Sequence, residues 1–273
     1  MNKHIRFPIR YFVITFIWSW SLWALLALFS NKTIMISNDL YKIFYFPLYI
    51  LGAFGPFIGA TLSIKRQERR GSVTVFLRKF LDFRIGWKGF GIPILILGIS
   101  TYVAWGLPEL FGKERLPMLL PSIWIFFPCL LFMILLGGGQ EEFGWRGYVL
   151  PILEKRYGVW YANIILGIIW ACWHLPLWFI LETNQVYMNF FGFVLLAIGY
   201  SYLLSWICKI SNNKPFVGIY AHGLANAIIS IMPTIDVNQQ LSQNQPRYWI
   251  WVVSTFLIGV VITFFRKNNY DKI

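Results

Sequence analysis

Residues Pro117–Arg156 read PMLLPSIWIFFPCLLFMILLGGGQEEFGWRGYVLPILEKR. An apolar run without a single charge leads into three consecutive glycines, then into two adjacent carboxylates and an arginine. As one straight helix, Arg115 to Lys155 would measure about 60 Å at 1.5 Å per residue, twice the ~30 Å hydrocarbon core of a bilayer. A helix bent or broken near Gly137, Gly138 and Gly139 is therefore expected. Glu141, Glu142 and Arg146 then lie inside apolar sequence just past the break.

The rest of the chain has the same character. Of 273 residues, 58% are hydrophobic and only 13% charged, against about 25% charged in an average soluble domain. The mean hydropathy is +0.59. These figures exclude a soluble globular domain, a disordered chain, a collagen and a disulfide scaffold. The 14 Trp, 14 Tyr and 25 Phe suit a chain that meets both membrane interfaces repeatedly. Cys129, Cys172 and Cys208 all sit in apolar runs, where cysteine behaves as a small hydrophobe; no disulfide or CxxC metal site is expected. The net charge of +13 would suggest nucleic acid on a soluble protein. Here the basic residues lie between apolar stretches, so orientation in a bilayer is the better reading and no nucleic-acid partner is expected.

Eight apolar segments can be drawn, at about 10–30, 43–64, 90–108, 117–138, 159–181, 187–208, 215–233 and 247–265. The expected fold is an all-α membrane protein, a single polytopic domain over 1–273 with about eight transmembrane helices. The first segment is too long for a signal-peptide core and lacks a clear cleavage site, so it reads as a retained helix. With the N-terminus inside, 19 of the 24 basic residues fall on the inner loops. The five outside are Lys32, Lys42, Lys113, Arg115 and Arg247. The positive-inside rule then places both termini in the cytoplasm. Within the basic stretch 65–88, Val73, Phe76, Leu77, Phe80 and Leu81 recur at helical spacing. This reads either as an amphipathic helix on an anionic leaflet or as a topogenic loop. Asp236–Arg247 reads as an external loop.

Five ionisable residues lie well inside apolar sequence: Glu141, Glu142, Arg146, His174 and His222. An Asp, Lys or Arg at the bilayer centre costs about 2.5–3.5 kcal/mol on insertion scales, so intramembrane ionisable residues point to function by default. Glu142 and Arg146 are one helical turn apart and can pair; on their own they could simply tie a helix into a bundle. Glu141 points about 100° away from that pair. It needs a partner from another helix, a proton, or catalytic work, and a poised general base is a natural use. His174 stands one turn after Trp170, and Pro176 bends the chain beyond it; alone, it could be a packed histidine. His222 and Asn226 share a face beside Gly223 and Ala225, where a helix–helix hydrogen bond is the plainer alternative. Measured along straight helices, Glu141 lies ~20 Å from Lys155, His174 ~25 Å from Tyr157 and His222 ~12 Å from Lys214. A shared site between the midplane and the cytoplasmic side is expected.

Three motifs now stand in order: EEFGWR (EExxxR), WACWH (aromatic-xxx-His) and HGLAN (HxxxN). Together they resemble the CAAX protease and bacteriocin-processing family, intramembrane proteases of the type II CAAX prenyl endopeptidase kind, over residues 118–235. Trp170 departs from the phenylalanine common in the second motif, though both are large aromatics. The resemblance implies that Glu141 activates the attacking water, that His174 and His222 hold or polarise it, and that Asn226 stabilises the oxyanion. Glu142, Arg146 and Trp170 would support them. GxSxG and HExxH are absent. Either Glu141, His174 and His222 hold a Zn²⁺ with an open water position, or the side chains activate water without a metal; the sequence leaves both open.

The expected activity is an intramembrane endopeptidase acting on the cytoplasmic side, on a membrane-associated or C-terminal peptide. The prenylated CAAX substrate belongs to the archetypal members. The Asn-, Lys- and Ile-rich composition looks bacterial, which favours a bacteriocin leader, a peptide pheromone or another membrane peptide at the bacterial cell membrane. The alternative is a non-catalytic bacteriocin immunity or binding protein in which the polar cluster is structural glue. A transporter with a proton relay fits less well, because the first three segments carry no buried charge and no internal repeat is visible.

Overall fold

The computed structural model describes residues 5–67, 72–238 and 245–270. Lys3, Arg69, Arg70 and Lys272 of the charge pattern, and residues 239–244 of the expected external loop, lie outside them. The described chain is helical with no strand. Lipid leaves backbone groups no outside partner, so a spanning segment must satisfy them within itself.

The helices are α1 (Ile9–Ser30), α2 (Asn38–Ala53), α3 (Gly55–Gln67), α4 (Ser72–Arg78), α5 (Gly86–Gly106), α6 (Phe126–Leu135), α7 (Glu142–Gly144), α8 (Leu150–Trp173), α9 (Phe190–Ile210), α10 (Pro215–Ile229) and α11 (Pro246–Tyr270). Five helical stretches are long and apolar enough to cross a membrane: Ile9–Ser30, Gly86–Phe111, Ile123–Phe179, Phe190–Ile210 and Pro246–Phe265. A sixth arises if Asn38–Ala53 and Gly55–Lys65, bent by 45°, count as one broken span. The protein is therefore a multi-pass integral membrane protein.

This count differs from the eight drawn on the sequence for two physical reasons. Most of segments 117–138 and 159–181 falls within one 57-residue helical stretch, Ile123–Phe179, interrupted at the glycine turn and again at Gly158, whose φ is 78°. Segment 215–233 becomes Pro215–Ile229, 15 residues, about 22 Å at 1.5 Å per residue and short of a full crossing. It is instead enclosed: Val217, Ala221, Leu224 and Ala227 are buried.

Helix α9 packs on α8 and α11, α1 on α2 and α3, and α10 on α6 and α5. Without a hydrophobic driving force between helices in lipid, contact depends on how closely backbones can approach. A Cβ added at Gly223 would stand 2.6 Å from the Ile134 Cα, so α10 and α6 meet only because that position is a glycine. In the basic stretch 65–88, read either as a lipid-surface helix or as a topogenic loop, residues Ser72–Arg78 are α-helical and Lys79–Leu81 form a 3₁₀ turn. Its Phe76 and Phe80 are buried, and Phe80 stacks on Phe143 at 4.0 Å between ring centroids. Leu81 stays exposed. The apolar face is thus used mainly against the protein.

The charged residues sort to two ends. At one end Arg156 donates to the Ile5 carbonyl, and Lys214 pairs with Asp82 at 3.2 Å. The Arg84 guanidinium holds the Asp82 carboxyl well below the usual carboxylate range. At the other end Arg115 pairs with Glu109, Arg247 donates to the carbonyls of Trp105 and Glu114, and Glu182 accepts from Ser30 and Tyr41.

Gly223→Val is expected to force α10 and α6 apart and to cost about 1–3 kcal/mol, the usual range for overpacking. A lowered thermal unfolding midpoint of the detergent-solubilised protein is the readout.

Candidate active site

The break foreseen at Gly137–Gly139 is present, and its backbone is held by side chains. Helix α6 ends at Leu135, and Gly138 takes φ 130° and ψ −36°, a region that L side chains rarely occupy. The turn frees carbonyls and an N–H at membrane depth, and these must find partners. Gln140 Oε1 accepts from the Gly138 N–H at 2.9 Å, while its Nε2 donates to the Leu136 carbonyl at 3.1 Å. Asn226 Nδ2, from α10, donates to the Gly137 carbonyl at 2.6 Å. A Cβ on Gly138 would stand 2.5 Å from Asn226 Nδ2 and 2.9 Å from His222 Nε2. The loop backbone therefore lies directly against the HxxxN face.

Past the turn the chain passes through a 3₁₀ turn at Gly139–Glu141 and the single turn α7, then a π-helical turn at Trp145–Val149. Irregular turns of this kind often mark functional positions. Here they aim the two carboxylates at different partners, as their spacing predicts. Glu141 Oε2 accepts from Trp145 Nε1 at 3.2 Å and from Trp170 Nε1 at 2.9 Å. The partner that Glu141 required from another helix is thus an indole N–H. Trp145 is fully buried between Tyr11 and Trp173, at centroid distances of 5.7 and 5.6 Å.

Glu142 Oε1 accepts from Arg146 NH1 at 2.9 Å and from His222 Nδ1 at 2.8 Å. Arg146 also reaches the Tyr200 carbonyl, and its guanidinium carbon lies 5.2 Å from the Trp170 ring centroid. One buried carboxylate thereby links the first motif to the third, and Arg146 and Trp170 link it to the second.

The α8 helix ends at Trp173, where His174 caps it. Pro176 supports this ending, since it lacks an N–H and enters a 3₁₀ turn at Leu175–Phe179. His174 Nδ1 lies 2.8 Å from the Trp170 carbonyl. A carbonyl only accepts, so Nδ1 carries a proton. His222 Nδ1 likewise faces an acceptor, Glu142 Oε1. Both imidazoles are thus held in orientation through Nδ1.

Glu141, Trp170, His174, His222 and Asn226 line one cavity of about 640 Å³. Glu142 and Arg146 stand behind it, buried. Among the described residues no three His, Cys, Asp or Glu side chains converge as metal ligands. Glu141 is turned onto two indole N–H groups.

Three features of the site go beyond the sequence reading. Trp145 was legible, because it follows Glu141 by the same four residues that paired Glu142 with Arg146. The cavity walls from Tyr45, Tyr49 and Phe193 carry no motif. The third is the extent of the cavity, which reaches Glu182, Asn184, Thr234 and Ile235, beyond the residues any motif marks.

Glu142→Ala would leave Arg146 buried without its counter-ion, a change that costs about 3–5 kcal/mol. Glu141→Gln keeps an oxygen for the two indoles and should cost about 1 kcal/mol. Thermal unfolding of the two variants in detergent should separate them clearly.

Comparison with known proteins agrees with the motifs. Residues 122–228 match the family model for Type II CAAX prenyl endopeptidase Rce1-like proteins. The CAAX prenyl protease 2 of Methanococcus maripaludis is 26% identical over 96% of this chain and 95% of its own length. The break, both carboxylates, both histidines and Asn226 all fall within the matched residues, so the part of this multi-pass helical membrane protein that is similar to Rce1-like type II CAAX prenyl endopeptidases is the part that builds the cavity.

Proposed function

We propose that the protein is an intramembrane endopeptidase in which Glu141 is the general base. The observation that carries this reading is the meeting of Glu141, His174, His222 and Asn226, from three separate stretches of chain, on one cavity. Glu141 binds the indoles through Oε2, which leaves Oε1 to take a proton from water. His174 Nε2 accepts a hydrogen bond from that water and orients its lone pair toward the scissile carbonyl carbon. Asn226 spends one amide N–H on Gly137 and keeps the other for the developing oxyanion. As the C–N bond breaks, the proton held on Glu141 passes to the leaving amine. His222 is locked by Glu142 and sets the position of Gly138 and of the water. Water itself is the nucleophile, so no covalent intermediate forms on the enzyme.

The substrate under this reading is a membrane-associated or C-terminal peptide, CAAX-like or of bacteriocin type, cleaved at a bacterial cell membrane. The core spans 118–235 within a single domain over 1–273, with about eight helical segments and both termini cytoplasmic. The positive-inside bias supports that orientation.

Cleavage of a membrane-peptide library, read by mass spectrometry for the purified protein and its variants, tests the reading. Loss of a general base lowers turnover by about 10²–10⁴, and Glu141→Gln is expected in that range. Asn226→Ala is expected to lose about 10²–10³, as for other oxyanion donors. His174→Ala and His222→Ala should each abolish cleavage while the protein still inserts. Full turnover in Glu141→Gln would remove the proposed base, and would favour the reading of the cluster as structural glue in an immunity protein. Trp170→Phe keeps a ring against Arg146 but removes the N–H to Glu141. It should shift the pH profile of kcat and leave the unfolding midpoint nearly unchanged.

A further inference from the structure

We propose that Glu182 and the aromatic wall beside it select a peptide substrate by a basic side chain, bound some residues away from the scissile bond. This rests on the endopeptidase reading above and deepens it, because it names the charge that the substrate carries. Two observations meet in it: an exposed carboxylate on the cavity that no motif accounts for, and a row of aromatic rings that leads from it to His174.

Glu182 lines the same cavity as Glu141, but it stands exposed in the segment between α8 and α9. Its Oε2 accepts from Ser30 Oγ at 2.8 Å and from the Tyr41 hydroxyl at 2.6 Å. These two donors, from the end of α1 and the start of α2, hold the carboxylate in place and leave Oε1 for a ligand. As a tie between the two helices, a neutral glutamine would serve Ser30 and Tyr41 equally well. The charge is what the tie leaves over. No lysine or arginine lines the cavity, so a cation that enters it meets Glu141 and Glu182 without a fixed like charge.

Tyr41, Tyr45 and Tyr49 recur every four residues on α2, so they share one face of that helix. The ring centroids of Tyr41 and Tyr45 lie 5.9 Å apart, and those of Tyr45 and Tyr49, inclined by only 13°, lie 6.0 Å apart. Trp23 continues the row, 6.4 Å from Tyr49 and 6.3 Å from His174. Tyr45, Tyr49, Trp23 and His174 all line the cavity. The negative face of an aromatic ring attracts a cation within about 6 Å. Wall and carboxylate therefore favour the same charge. An extended peptide advances about 3.3 Å per residue, so a chain laid along this row places its basic residue within about eight residues of the scissile bond.

Peptide binding to the detergent-solubilised full chain tests this, with cleavage read on the same peptides. The probes are N-acetylated dodecapeptides of Leu, Ala and Ser that carry a neutral fluorophore and one Lys, moved through every position. Each is paired with a peptide that has norleucine at that position, of similar length and without charge. Fluorescence anisotropy gives both dissociation constants. At one or more positions Lys should be preferred over norleucine by about 3–10-fold, and the preference should shrink as salt is raised. Glu182→Gln keeps an acceptor for Ser30 and Tyr41, so the unfolding midpoint should hold while the preference disappears. Tyr45→Leu should lower the preference about 2–5-fold. Glu182→Arg should reverse it, favouring Glu over Gln at the same position. Equal binding of Lys and norleucine at every position, or binding of neither, overturns the proposal, and so does a lysine preference that survives in Glu182→Gln. Binding is read whether or not a peptide is cut. A preference that depends on Glu182, without cleavage by the unsubstituted chain, would count against the endopeptidase reading and leave the cation site standing.

Discussion

Glu142 holds the site together. Its Oε1 takes hydrogen bonds from Arg146 on its own segment and from His222 on α10, in a place where neither charge meets water. Taking two charges out of water is expensive, and the arrangement persists only when geometry and additional hydrogen bonds offset that cost. Arg146 finds those additions in the Tyr200 carbonyl and the Trp170 ring. The result is one polar knot that fixes α9, α10 and the end of α8 relative to the broken stretch. His222 cannot be positioned without Glu142, and Gly138 cannot lie where it does without His222 and Asn226.

The second carboxylate is freed by the first. Because Glu142 neutralises Arg146, Glu141 has no cation on its own segment, and it is met instead by two neutral indole donors. Such donors orient a carboxylate without pairing it with a charge. The neighbouring elements all serve that setting: α1 supplies Tyr11 against Trp145, and the stretch 72–81 packs Phe80 under Phe143. What reads along the sequence as a basic amphipathic segment thus packs against the broken stretch that carries Glu141 and Glu142.

The break in the helix has its own physical logic. A charge-free run that ends in three glycines can leave the helix only if its freed backbone groups are satisfied nearby. Gln140 and Asn226 provide those partners. Glycine at 138 accommodates both the positive φ and the close approach of His222. The three motifs are therefore one structure, in which the third motif closes the hydrogen bonds that the first leaves open.

Much of this was legible in the chain alone, because composition and spacing are local. Apolar runs, charge alternation and the rarity of buried ionisable groups identify a helical membrane protein. The i, i+4 rule pairs Glu142 with Arg146 and places His222 with Asn226. Straight-helix length predicts the break at the glycines. By the same rule Trp145 could have been assigned to Glu141. Other features depended on contacts between segments far apart in sequence. No spacing tells that Trp170 donates to Glu141, that Glu142 bridges to His222, or that α10 is a short enclosed helix. Nor could distance along individual helices reveal that side chains from α1 and the 72–81 stretch pack together around the broken stretch, Tyr11 on Trp145 and Phe80 on Phe143, a property of packing that appears only once the helices are assembled.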